Sequence, residues 1–174
     1  MMRVTIVGRG RVGRGLKQYL SKSEDVIVRL VKGTTARVSD ADVLILAVPD
    51  VHIASVAARL ASTTDAAMLH CAGRLGVEAF GELERPGLGA LHPLISFARA
   101  SAPPPNANYS FAVSGDARAQ KAARHLIKAM NGHVLLGVHG NAYHAAAALT
   151  ANGAAAISDV AIDVLVAIGV GRKS

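Results

Sequence analysis

The chain has 174 residues, of which 51% are hydrophobic, 3% aromatic and 18% charged, and its formal net charge is +7. That apolar content is enough to bury one substantial core and excludes a disordered chain. The basic residues are scattered and accompany only three Tyr, three Phe and no Trp for stacking on bases, so no nucleic-acid partner is expected; the one cysteine, Cys71, excludes an internal disulfide.

The first apolar run, residues 4–7, leads straight into Gly8-Arg9-Gly10-Arg11-Val12-Gly13 and then a helix-like stretch over 12–20. A strand, a G-x-G-x-x-G turn and a helix in that order suit a dinucleotide pyrophosphate, because bare backbone N–H groups at a helix N-terminus face the phosphates. Without a ligand, the same pattern is simply a glycine-rich strand-to-helix turn. Arg9, Arg11, Arg14, Lys17 and Lys22 concentrate around it, either as a solvated helix face or as a field that attracts a polyphosphate.

Further apolar runs follow at 26–31 and 43–48. The link between them, 32–42, is too short for a crossover helix with its turns, so a single turn or loop is expected. An Asp or Glu at the end of the second strand would hold the ribose hydroxyls of NAD. Lys32, Thr34, Thr35 and Arg37 stand there instead, a set that suits a 2′-phosphate and favours NADP; an ordinary basic turn is the alternative. Asp50 is placed to cap a helix over 51–61, and a fourth strand is expected at 66–69.

Residues 98–110, with Pro103-Pro104-Pro105, read as an extended surface loop, and 111–113 as a strand. Asp116 then caps a helix over 117–130, and a last strand is expected at 134–138. Alternation of apolar runs with helix-like stretches argues for an α/β chain with a mostly parallel sheet. Residues 141–168 predict one long helix despite Gly153, with Asn141, Asn152, Asp159 and Asp163 on one stripe and Tyr143, Thr150, Ile157, Ala161, Val164 and Ile168 opposite. The polar residues in it argue against a membrane span. Its apolar arc is expected to be buried between two surfaces, one of them a second subunit in a homodimer. The expected division is residues 1–139 as a dinucleotide-binding domain and 140–174 as the helical part. No basic-then-apolar leader opens the chain, and a cytoplasmic location is the expectation.

Three segments join the glycine turn: Leu46-Ala47-Val48-Pro49-Asp50, His70-Cys71-Ala72-Gly73, and Leu91-His92-Pro93-Leu94-Ile95-Ser96-Phe97. Together with Tyr143-His144-Ala145-Ala146-Ala147 and Asn152, they resemble the Rossmann-like oxidoreductases that pair an NADP-binding half with a C-terminal helical domain of unknown function. Pyrroline-carboxylate reductase, prephenate dehydrogenase and the 6-phosphogluconate dehydrogenase-like enzymes are the wider relatives. The resemblance implies a Rossmann-type fold with Gly8, Arg9, Gly10, Arg11, Val12 and Gly13 on the pyrophosphate, and Ala47-Val48-Pro49 beneath the nicotinamide ribose. It implies His92 beside the group undergoing oxidation, and His144 presented from the start of the long helix. This chain departs from the family at Ala72, where a serine or threonine is common, and it ends at Ser174, where relatives continue with further helices.

The chemistry these residues suit is hydride transfer to or from a small polar carbonyl, imine or hydroxy compound, with His92 moving the proton. Packing alone is the other account of His92. A non-catalytic NADP-binding protein, as redox sensor or partner subunit, is the competing class, and a deazaflavin cofactor on the same scaffold is a third. Asn152 reads more readily as part of a solvated stripe, and His70 and Cys71 as packing. No second Cys/His pair has metal-ligand spacing, so no metal is expected. G-x-S-x-G, H-E-x-x-H and a Walker lysine are all absent from the sequence.

Overall fold

The computed structural model describes residues 1–33, 38–95, 97, 109–137 and 140–168, without the side chains of 151, 152, 154 and 155. Strands β1 (Met2–Val7), β2 (Val26–Val31), β3 (Val43–Leu46), β4 (Ala67–His70) and β5 (Leu88–Pro93) are mutually parallel. β6 (Ser110–Gly115) runs antiparallel to β5, and β7 (His133–Leu136) is parallel to β6. They form one seven-stranded sheet in the order β2-β1-β3-β4-β5-β6-β7. The helices are α1 (Arg11–Leu20), α2 (Ile53–Ala61), α3 (Ala117–Ala129), α4 (Asn141–Ala148) and α5 (Ala154–Ala167). This is the α/β, mostly parallel, Rossmann-type architecture that the alternating pattern predicts.

Burial on both faces explains why the inner strands are unbroken apolar runs. In β3, Val43 and Ile45 join Leu16 and Leu20 of α1 and Leu126 of α3 in one core, while Leu44 and Leu46 join Ile53 and Leu60 of α2 and Phe80 in another. The strand period of two thus sends alternate residues to opposite helix layers. Val7, Val31 and Leu46 lie at one level of the sheet, so Gly8, Lys32 and Ala47 follow at its carboxyl edge. β1 lies between β2 and β3, which makes this the point where strand order reverses and a crevice opens.

The sheet also holds a strand that the apolar runs do not reveal. β5 reads Leu-Gly-Ala-Leu-His-Pro, too poor in β-branched residues to signal a strand. Its small residues answer to packing, since a Cβ on Gly89 would meet the Cβ of Ala119 on α3 at 2.8 Å. Asp50 is not a helix cap; it sits in a short 3-10 turn, and its carboxylate receives Arg74 Nε at 3.2 Å. The long helix is also interrupted, because a π-helical stretch, Leu149–Gly153, joins α4 to α5. Beyond it the apolar side chains stay exposed, with Ile157 and Ile168 each at 72%. Among the described residues, no helix is long and apolar enough to cross a membrane. The proline-rich segment 98–108 lies outside the described residues.

Asp116 does cap α3, accepting from Ala119 N at 2.8 Å, and it also accepts from Gly87 N at 2.6 Å, tying the approach to β5 to the helix. Burial raises its pKa, but bonds from the N–H groups of Ala119, Gly87, Leu88 and Arg118 outweigh this and hold the carboxyl below its ordinary range. A carboxylate with a depressed folded-state pKa stabilises the fold above its unfolded value, and that contribution is lost as pH falls. Asp116→Ala is expected to cost about 1–2 kcal/mol in urea unfolding at pH 7. The gap from wild type should narrow below about pH 4.

Candidate functional site

The three glycines of the opening turn meet three different physical demands. Gly8 has φ of +123°, and a Cβ there would run into the carbonyl of Ala47, so the end of β1 and the end of β3 approach only across a bare α-carbon. A Cβ on Gly13 would strike the Gly8 carbonyl, which lets α1 pack tightly against the turn. Gly10 is the N-cap of α1, brings no capping side chain, and has open space where its Cβ would be. The N–H groups at the head of α1 therefore face an accessible region, with no acidic residue in the first turn. A pyrophosphate fits this cradle in size and charge.

Two clefts flank the turn. The first, about 540 Å³, is lined by Gly8, Arg9, Gly10, Lys32, Gly33, Ala47, Val48, Pro49 and, from α2 and the turn before it, His52, Ser55, Val56 and Arg59. Of the expected cofactor-binding positions it gathers Gly8, Arg9, Gly10, Lys32, Ala47, Val48 and Pro49; Arg11 and Val12 line the second cleft, Gly13 lines neither, and Thr34, Thr35 and Arg37 lie outside the described residues. The second, about 730 Å³, is lined by Arg11 and Val12 from α1, by His92 to Ile95 and Phe97, and by His144 and Thr150. The G-x-G-x-x-G segment thus contributes to both clefts, as a pyrophosphate linking two nucleoside halves requires.

In the second cleft the two expected catalytic histidines meet. β5 brings His92 and the first turn of α4 brings His144, with ring centroids 6.0 Å apart. The space a Cβ on Gly73 would occupy lies 2.6 Å from His92 Nε2 and 2.9 Å from His144 Nδ1. His92 Cε1 is nearer still, at 2.5 Å, so both rings pack against Gly73 where any Cβ would collide with them. Tyr143 Oη is 3.1 Å from His92 Nδ1, and its ring stands edge-on to the imidazole at 5.7 Å. Burial, reinforced by His144 and His70 and opposed by Asp50, pushes His92 down to about 4, so it is neutral at pH 7.

Sequence reasoning placed Tyr143 on the apolar side of its helix and assigned Gly73, His52, Ser55 and Arg59 no role. The helical spacing of 52, 55, 56 and 59 was a signal for the last three, because those positions share one face. The side chain of Asn152 is outside the described ones. His70 is fully buried: its Nδ1 accepts from Ala72 N at 3.2 Å, which leaves Nε2–H to donate to the Gly76 carbonyl at 2.8 Å. Cys71 packs against the core, and burial raises its thiol to about 12. Among the described residues, no three His, Cys, Asp or Glu side chains gather as a metal site would require.

No protein-family model matches this sequence, and no curated protein matches it. Solved structures do match. A Thermotoga maritima protein is 23% identical, with a TM-score of 0.65 over 97% of this chain and 71% of that one. Prephenate dehydrogenase from Aquifex aeolicus is 16% identical, with a TM-score of 0.70 over 97% of this chain and 72% of its own. Pyrroline carboxylate reductase from Plasmodium falciparum, solved with NADP bound, is 13% identical, with a TM-score of 0.65 over 99% and 71%. At these identities the likeness is one of architecture: this chain has the Rossmann fold.

Proposed function

We propose that the protein is an NADP-dependent oxidoreductase acting on a small polar carbonyl, imine or hydroxy compound. The observation that carries this reading is the pairing of His92 with His144, ring centroids 6.0 Å apart, in a cleft that shares the glycine-turn segment with the nucleotide cradle. Bound NADP would supply the hydride chemistry. Gly10 and the head of α1 hold its pyrophosphate, and Ala47, Val48 and Pro49 border the ribose at the crevice.

The neutral state of His92 decides its part. With Nδ1–H donating to Tyr143 Oη, Nε2 presents a lone pair to the cleft. Nε2 then takes the proton of a substrate hydroxyl as it becomes a carbonyl, and returns that proton in the reverse direction. His144 Nδ1 donates a hydrogen bond to the same oxygen and orients it. Tyr143 acts through His92, holding its ring in one plane. The non-catalytic reading draws on Ala72, which brings no hydroxyl to the end of β4. NADP binding with no turnover of keto acids, aldehydes, cyclic imines or hydroxy acids would favour it.

In this reading a second copy of the chain covers the exposed apolar side of α5, which continues through the π-helical stretch from the helix bearing Tyr143 and His144. Light scattering at micromolar concentration is expected to give a dimer, and a stable monomer removes this part of the reading.

His92→Asn is expected to lower kcat by about 10²- to 10⁴-fold while leaving the Kd of NADPH within about twofold. Undiminished turnover would remove His92 from the chemistry. Gly73→Ala, which places a methyl between the two imidazoles, is expected to abolish turnover and spare cofactor binding. The histidine also predicts a pH dependence of stability. With a folded value near 4 against 6.5 in the unfolded chain, the unfolded state binds more protons in that window, so stability is lost as pH falls from 6.5 towards 4. Melting curves of His92→Asn should show a shallower decline over this range than wild type.

A further inference from the structure

We infer that Arg59, on α2, selects a dinucleotide carrying a 2′-phosphate, acting with Lys32 as a two-cation clamp across the nucleotide cleft. This rests on the reading of the glycine turn as a pyrophosphate cradle. Residues 33 and 59 are far apart in the chain, yet Arg59 Nη2 donates to the Gly33 carbonyl at 2.7 Å. That bond holds the guanidinium beside the end of β2, where a Rossmann crevice meets the adenosine ribose. Gly33 is itself closely packed, because a Cβ on it would come within 2.9 Å of Val48 Cγ1. Arg59 and Lys32 line the same cleft.

The charge in that cleft has one sign. Arg9, Lys32 and Arg59 are among its lining residues, and no Asp or Glu is among the described ones. A ribose with free 2′ and 3′ hydroxyls is recognised by an acid that accepts from them, and such a group is missing from the lining. A dianionic phosphate is recognised by fixed cations, and a guanidinium presents a planar fork of donors that matches its oxygens. Arg9 lies within the pyrophosphate turn, so Lys32 and Arg59 are the pair at the ribose end. Val48, Pro49 and Val56 provide apolar walls for a flat base.

The test measures binding and needs no substrate. Titration calorimetry of the whole chain with NADPH, NADH, 2′,5′-ADP and 5′-ADP is run on wild type, Arg59→Gln and Arg59→Ala. Glutamine keeps an N–H donor for the Gly33 carbonyl and removes the charge, so loss of the α2 contact and loss of the cation are separated; melting curves check that each variant folds. Wild type is expected to bind NADPH more tightly than NADH. Arg59→Gln is expected to weaken NADPH and 2′,5′-ADP by roughly 10- to 100-fold and to leave NADH and 5′-ADP within about threefold. Equal weakening of both dinucleotides, or unchanged NADPH affinity, would overturn the assignment of Arg59 and leave the cradle standing. Tighter binding of NADH by wild type overturns the clamp in the same way. If wild type binds neither dinucleotide, the cradle and the clamp both fall.

Discussion

The structure depends on a close approach of backbone to backbone at the carboxyl edge of the sheet. Gly8 meets the carbonyl of Ala47 and Gly13 meets the carbonyl of Gly8, so β1, β3 and α1 converge within a space that has no room for side chains. The hydrogen bonds Gly8 N to Val31 O and Ala47 N to Val7 O, each 2.9 Å, continue the ladder to this edge on both sides of β1. Because the three elements are held this tightly, the head of α1 points its N–H groups in a fixed direction. Everything assigned to phosphate binding follows from that direction.

The two clefts inherit their characters from what surrounds this junction. On one side, α2 supplies Ser55 and Arg59 to the ends of β2 and β3, and the lining is cationic. On the other, β5 supplies His92 and α4 supplies Tyr143 and His144, and the chemistry is that of neutral imidazole in a half-buried setting. Burial keeps the His92 imidazole uncharged at neutral pH. One cleft is lined by cations and the other by a pair of histidines.

How much of this could be read from the residues varies with the range of the interaction. The opening turn was legible because strand, glycines and helix are contiguous, and steric demand at each glycine is met within a few residues or by the next strand. The cap at Asp116 was legible for the same reason. Only the end of β5 was legible, as extended backbone at His92 before Pro93; the rest carries no strand signature, because Gly89 is bare where Ala119 of α3 and Gly115 approach it. Asp50 looked like a cap from its position but is engaged by Arg74, a partner 24 residues away. The histidines at 92 and 144 were recognisable as candidates through family resemblance, while their convergence on Gly73 and the contact with Tyr143 were not.

The sequence by itself determined the alternation of strands and helices, the absence of an acid after the second strand, and the nucleotide-type turn, all of which are local in the chain and set by sterics and periodicity. Only the tertiary structure decided which distant side chains share a cleft. His92 and Tyr143 are 51 residues apart and Arg59 lies 26 residues from Gly33, yet each pair is within hydrogen-bond distance. Such meetings depend on strand order and on the angle at which helices cross the sheet, and these are set by packing the whole core at once.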